Sequence, residues 1–167
     1  VQCIPPLARS AGHLFVFQRT PSSVDVRNNH PIDPDWFAGI ARPGWQKRWM
    51  SNFVENMGRG IPSEDLIDDG WTQISRRIRE KVLNGRPVWA AKLVSRAAGV
   101  LGRSPASAQP EQVLAAIEDA DIEKMAEIRA RVDAVVKDRE TADKLKAWYS
   151  QLCKRPCFSD EYLPAYN

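Results

Sequence analysis

Leu14-Phe15-Val16-Phe17-Gln18-Arg19-Thr20-Pro21 is the stretch on which the fold turns. Its first four residues are apolar, favour β structure and do not alternate with polar ones. A run of that kind suits a strand covered on both faces, as in a parallel sheet, although four residues also fit a buried helical segment. Gly12 before the run and Pro21 after it favour the strand. Upstream, residues 1–11 read as the back half of a helix that stops at Gly12. Val1 therefore falls inside an element. Helix, tight turn and strand together have the form of a βαβ unit whose first strand is missing.

Downstream the pattern becomes helical. Residues 20–34, rich in Pro, Ser, Asn and Asp, read as a long loop. Trp45, Trp49 and Phe53 are spaced four apart and share one helix face, which reads as a core stripe rather than a ligand platform. Ser63 is a good N-cap, with Glu64 and Asp65 in the first turn, and Ile67, Trp71, Ile74, Ile78 and Val82 predict an amphipathic helix with Gly70 inside it. A shorter helix over 88–101 and a small-residue linker from Gly102 follow, and Pro110 opens the next helix at its first position. Ile122, Met125, Ile128, Val132 and Val135 mark another helix. Glu127 with Arg131, and Asp133 with Lys137, read as i,i+4 pairs on its solvated side. A last short helix runs from Glu140 to about Trp148. Ten of the 12 prolines precede residue 111, so the longer helices belong to the last third. The expected fold is mainly α: a helical subdomain attached to an incomplete α/β, Rossmann-like edge with one or two short strands.

Composition narrows the function classes. The chain has 167 residues, 43% hydrophobic and 27% charged, with a mean hydropathy of -0.43, which suits one globular domain and excludes collagen, low complexity and a disulfide scaffold. No uncharged apolar run is long enough to span a membrane. The net charge is only +3 with both signs interspersed, so no basic block advertises nucleic acid. Three cysteines without a secretory signal fit a reducing cytoplasm.

Most catalytic signatures are absent. His13 and His30 have no carboxylate or cysteine at ligand spacing, and Cys153 and Cys157 lack a second pair, so no metal site is expected. Gly58-Arg59-Gly60 carries two glycines of a dinucleotide fingerprint, but Ser63 replaces the third and a helix precedes it. What remains is Arg19 with Thr20, just past the run 14–17. An arginine at the carboxyl end of the second strand of a dinucleotide fold offers a planar fork to a 2′-phosphate, where an acid would bind the ribose hydroxyl. The other reading is that Arg19 merely solvates a strand end, and spacing alone leaves both open.

Val1-Gln2, the run from Leu14 to Pro21, Arg27-Asn28 and Cys153-Lys154-Arg155-Pro156 resemble flavoprotein monooxygenases of the Baeyer–Villiger type. The resemblance covers the chain end to end, with distinctive motifs near both termini and a variable helical middle. It implies that the chain is a fragment of a larger FAD- and NADPH-dependent enzyme that oxygenates a small-molecule ketone or heteroatom substrate. On that reading residues 1–27 are a partial NADPH-binding segment, 28–150 a helical insertion, and 151–167 the return into the NADPH-binding domain. The resemblance further implies that Arg19, Thr20 and Lys154 receive the 2′-phosphate of NADPH. It gives Arg155 the catalytic role of reaching the flavin and stabilising the negatively charged peroxyflavin. Neither glycine-rich nucleotide motif is present, so the fragment alone is expected to be inactive and to bind neither coenzyme tightly. Its uncovered strand predicts self-association or loose order. The alternative is a free-standing helical interaction module without catalysis.

Overall fold

A computed structural model of the chain describes residues 1–57, 64–83 and 110–167. The elements are α1 (Ile4–Ser10), β1 (Val24–Asp25), α2 (Pro34–Ile40), α3 (Trp45–Met57), α4 (Gly70–Leu83), α5 (Pro110–Val135), α6 (Arg139–Leu145) and β2 (Cys157–Phe158), with 3-10 turns at Gln151–Cys153 and Pro164–Tyr166. The fold is mainly α, and among the described residues the sheet is a single parallel pair of two-residue strands. None of the described helices is long and apolar enough to cross a membrane. Two compact units divide the chain, one formed by Val1–Asn29 with Asp121–Asn167 and the other by His30–Ala120. The expected helix over 88–101, the linker after it, Ser63 and Gly58-Arg59-Gly60 lie outside the described residues.

In the first unit the strand is not where the apolar run placed it. Residues 14–17 pair with nothing among the described residues; Phe15 and Phe17 are 73% and 93% exposed, while Leu14 and Val16 are half-buried. An apolar run becomes a strand only where a neighbour completes its ladder. Here the ladder forms further on, with Val24 opposite Cys157 and Asp25 opposite Phe158. The Cys157 N–H donates to the Ser23 carbonyl at 3.3 Å and the Ser159 N–H to that of Asp25 at 2.9 Å. Val24 sits in a core with Val132, Val136, Ala142, Leu145, Tyr162 and Leu163, against which Ile4 of α1 also packs. Met125, Ile128 and Ala147 form a second apolar cluster, with Tyr149 laid against it.

The long helix α5 is continuous from Pro110, so the two expected helices are one. Ile122 is 64% exposed, whereas Lys124 is 4% exposed and pairs with the carboxylate of Asp25 on β1. The buried stripe is therefore rotated slightly from the apolar reading. Arg131 is not on a solvated face either: it donates to the Val24 and Ser159 carbonyls, both at 3.1 Å, and so clips the two strand ends together. Asp133 pairs instead with Lys146 at 2.6 Å. After α5, Asp138 caps α6 by accepting from the Thr141 N–H at 2.8 Å.

The second unit inverts the expected stripe. Trp45, Trp49 and Phe53 are only half-buried, while Asn52 and Asn56 on the same helix are buried. The aromatic residues instead meet edge to face, Trp45 with Phe37 at 5.5 Å and Trp49 with Trp36 at 6.5 Å. Asn56 donates to the Asn52 carbonyl at 3.0 Å, and Arg79 of α4 returns two bonds to Asn56 at 2.8 and 2.9 Å. Asn52 accepts from the Leu66 N–H at 2.9 Å. Helix α4 starts at Gly70, not near residue 63. Asp65 accepts from the backbone of Ile67 and Asp68, and Asp69 accepts from that of Trp71 at 2.8 Å. Such local side-chain bonds give 64–69 a turn that competes with helix, which leaves Ile67 outside α4 and Gly70 at its start.

Candidate functional site

Because β1 and β2 run parallel, the segments that lead into them lie at the same end of the pair. Arg19 and Thr20 stand on the lead-in to Val24, and Lys154 and Arg155 on the lead-in to Cys157. Residues more than 130 positions apart in the chain are thus delivered by one ladder. All four side chains are exposed. Neither guanidinium, that of Arg19 or of Arg155, has a hydrogen-bond or ion-pair partner among the described residues.

Lys154 is held differently. Its ammonium lies 4.4 Å from the centroid of the Tyr149 ring, which packs against Met125, Ile128 and Ala147. The Tyr149 hydroxyl accepts the Ser23 N–H at 2.9 Å, and Ser23 is buried between Thr20 and the ladder. One aromatic residue therefore touches both lead-in segments. Gln151 begins the short turn before Lys154; its N–H donates to Asp121 at 2.7 Å, and its side-chain oxygen is buried without a partner among the described residues.

At the other end of the pair, Asp160 follows β2 and accepts three backbone N–H groups, from Arg27 at 2.9 Å, Asn28 at 3.1 Å and Asn29 at 3.0 Å. Asn28 adopts a φ of 52°, a left-handed conformation that asparagine tolerates. The Asn29 N–H foremost holds the Asp160 carboxyl below the usual aspartate range; burial opposes it, and the N–H groups of Asn28 and Arg27 with the charge of Arg131 add to the lowering. The contacts that Asp25, Lys124, Tyr149 and Asp160 make around the strand pair are not legible in the sequence. The Arg27-Asn28-Asn29 run was the available signal, since paired asparagines mark a left-handed turn that needs an acceptor.

A guanidinium, a hydroxyl and an ammonium thus stand on segments that lead into the same end of the pair, and each is a donor of the kind a phosphate monoester accepts from. Among the described residues no group of three His, Cys, Asp or Glu side chains is placed to hold a metal ion.

No family model matches the chain. Individual proteins do. It is 49% identical over its whole length to neopentalenolactone D synthase of Streptomyces avermitilis, and 46% identical to Baeyer-Villiger monooxygenase ATR8 of Stachybotrys chlorohalonatus. A third relative, at 38%, is the FAD-binding monooxygenase prhK of Penicillium brasilianum. The solved polycyclic ketone monooxygenase of Thermothelomyces thermophila superposes with a TM-score of 0.68 at 36% identity, covering 99% of this chain and 24% of that one. The chain spans about a quarter of the length of the curated relatives it matches: 25%, 24% and 23% for the three named. From end to end it is a homologue of one quarter-length segment of Baeyer–Villiger and FAD-binding monooxygenases.

Proposed function

We propose that the chain is part of a longer FAD- and NADPH-dependent monooxygenase that inserts one oxygen atom into a carbonyl or soft heteroatom of a small molecule. The observation that carries this reading is the parallel ladder that delivers Arg19-Thr20 and Lys154-Arg155 to one end, within a segment homologous to such enzymes. When bound, NADPH and FAD together supply hydride and oxygen-activating chemistry. The chain's own residues bind and orient. The Arg19 guanidinium and the Thr20 hydroxyl donate to the coenzyme's 2′-phosphate, and the Lys154 ammonium adds a second charge to the same group. Arg155, next in sequence and with a guanidinium that has no protein partner among the described residues, keeps its charge for the reacting atoms and favours negative charge that develops there. The 167-residue chain by itself lacks the glycine turns that cradle a pyrophosphate, so purified alone it is colourless and binds neither coenzyme tightly.

The test is steady-state kinetics of the full-length enzyme with NADPH and with NADH. A charge-assisted hydrogen bond contributes about 1.5–3 kcal/mol, so Arg19→Ala or Lys154→Ala raises KM for NADPH roughly ten- to a hundredfold and leaves NADH unchanged. Arg155→Ala keeps flavin reduction but loses product. Equal weakening of both coenzymes by Arg19→Ala would show that this residue holds the fold and reads no phosphate.

A further inference from the structure

We propose that Tyr149 is the positioning residue for coenzyme selection: it keeps Lys154 and the Arg19-Thr20 lead-in on one anchor, so that their donors meet a single phosphate. The proposal rests on the phosphate reading above. It stands on three observations. Tyr149 packs against the buried cluster of Met125, Ile128 and Ala147. Its hydroxyl accepts the Ser23 N–H at 2.9 Å, three residues beyond Thr20. Its face carries the Lys154 ammonium at 4.4 Å from the ring centroid.

The choice of an aromatic ring has a chemical reason. Lysine is a point charge on a flexible four-carbon stem, and holding it costs side-chain entropy. A carboxylate neighbour would hold it but would also neutralise it and compete with an incoming phosphate. A ring face restrains the ammonium and leaves the full positive charge, with N–H donors to spare. Arg129 on the Trp148 ring, centroid distance 4.6 Å, repeats the device one residue earlier but donates onward to the Ala147 carbonyl at 3.3 Å. Lys154 has no such second engagement among the described residues.

Two measurements test the proposal. In the 167-residue chain, NMR should show the Lys154 ε-methylene protons shifted upfield by the ring current. Tyr149→Leu should remove that shift and Tyr149→Phe should keep it. In the full-length enzyme, Tyr149→Leu should raise KM for NADPH three- to tenfold, leave NADH unchanged and hold kcat within twofold. Tyr149→Phe keeps the ring beneath Lys154 but loses the acceptor of the Ser23 N–H, so it should restore KM for NADPH only in part, to a value between those of the wild type and Tyr149→Leu. An unshifted Lys154 in the wild-type chain overturns the proposal. So does a Tyr149→Leu enzyme that keeps its NADPH preference while Lys154→Ala loses it, an outcome that leaves the phosphate reading intact. If Lys154→Ala keeps the preference as well, Lys154 reads no phosphate and the role of Tyr149 falls with it, while Arg19→Ala still decides the phosphate reading itself.

Discussion

The two units of the chain are held together by different chemistry. The unit formed by Val1–Asn29 and Asp121–Asn167 has an apolar core, Val24, Val132, Val136, Ala142, Leu145 and Leu163, around a two-residue ladder. Its buried polar residues are Ser23, Gln151 and the ion pair of Lys124 with Asp25, and the half-buried Arg131 clips the strand ends. In the unit His30–Ala120, the buried side chains of α3 are asparagines, joined to α4 through Arg79, and the tryptophans stay half-exposed. The first arrangement draws on area removed from water, which is non-directional and tolerates small changes. The second draws on directed hydrogen bonds, each of modest net value but costly to leave unmade. The difference teaches where each unit is brittle.

The largest effect is expected where the apolar unit departs from its own rule. Lys124→Ala leaves the Asp25 carboxylate buried without its cation and should cost about 3–5 kcal/mol, read as a lowered denaturant midpoint. The double variant Lys124→Met with Asp25→Leu should recover most of that loss, because two apolar groups need no partner. If the single variant costs under about 1 kcal/mol, in the range of an exposed pair, water reaches the pair and the contrast between the units weakens.

Next comes the polar unit. Asn56 is 0% exposed, and Asn56→Ala removes the side-chain one of its two bonds from Arg79 and the amide's bonds to Asn52, an expected loss of about 1–3 kcal/mol. Hydrogen exchange should report faster opening of α3 and α4 and leave α6 unchanged. Uniform acceleration would mean that the chain unfolds as one cooperative body.

The third effect is acid sensitivity at Asp160. Its folded pKa lies below the ordinary value of 3.8. The stabilisation is therefore fully present above that value and is lost as pH falls through the lower, folded one. Thermal melts from pH 5 to pH 2 should steepen for the wild type and be flatter for Asp160→Asn. Identical profiles would remove Asp160 as the acceptor that pins residues 27–29.

The smallest effect sharpens the reading of the apolar run. Phe17 is 93% exposed, so Phe17→Ser should change the stability of the 167-residue chain by no more than about 0.5 kcal/mol. A larger loss would show that the run is covered in solution.

These contrasts explain what was legible. The helices at Ile4–Ser10, Trp45–Met57 and over the 122–135 part of α5 were readable because a 3.6-residue period is a local property, whereas the last helix, read as far as Trp148, ends at Leu145, where Lys146 turns extended. The start of α4 was missed by several residues because Asp65 and Asp69 bond their own backbone, a local competitor that a hydrophobic count does not register. The core stripe of α3 was misassigned because tryptophan reads as core by its size, whereas Asn56 is buried by virtue of partners on α4.

What the sequence determined alone was the helical class, the start of α5 at Pro110 and the donor chemistry of Arg19, Thr20 and Lys154. These follow from backbone geometry and side-chain chemistry, which each residue carries wherever it sits. Only the tertiary structure decided which segment is the strand, which charges are buried, and that Tyr149 stands between the two lead-ins. A ladder needs a second backbone, a buried ion pair needs a second element, and an anchor needs two segments to hold. None of those partners is near in sequence, so no local pattern could have named them.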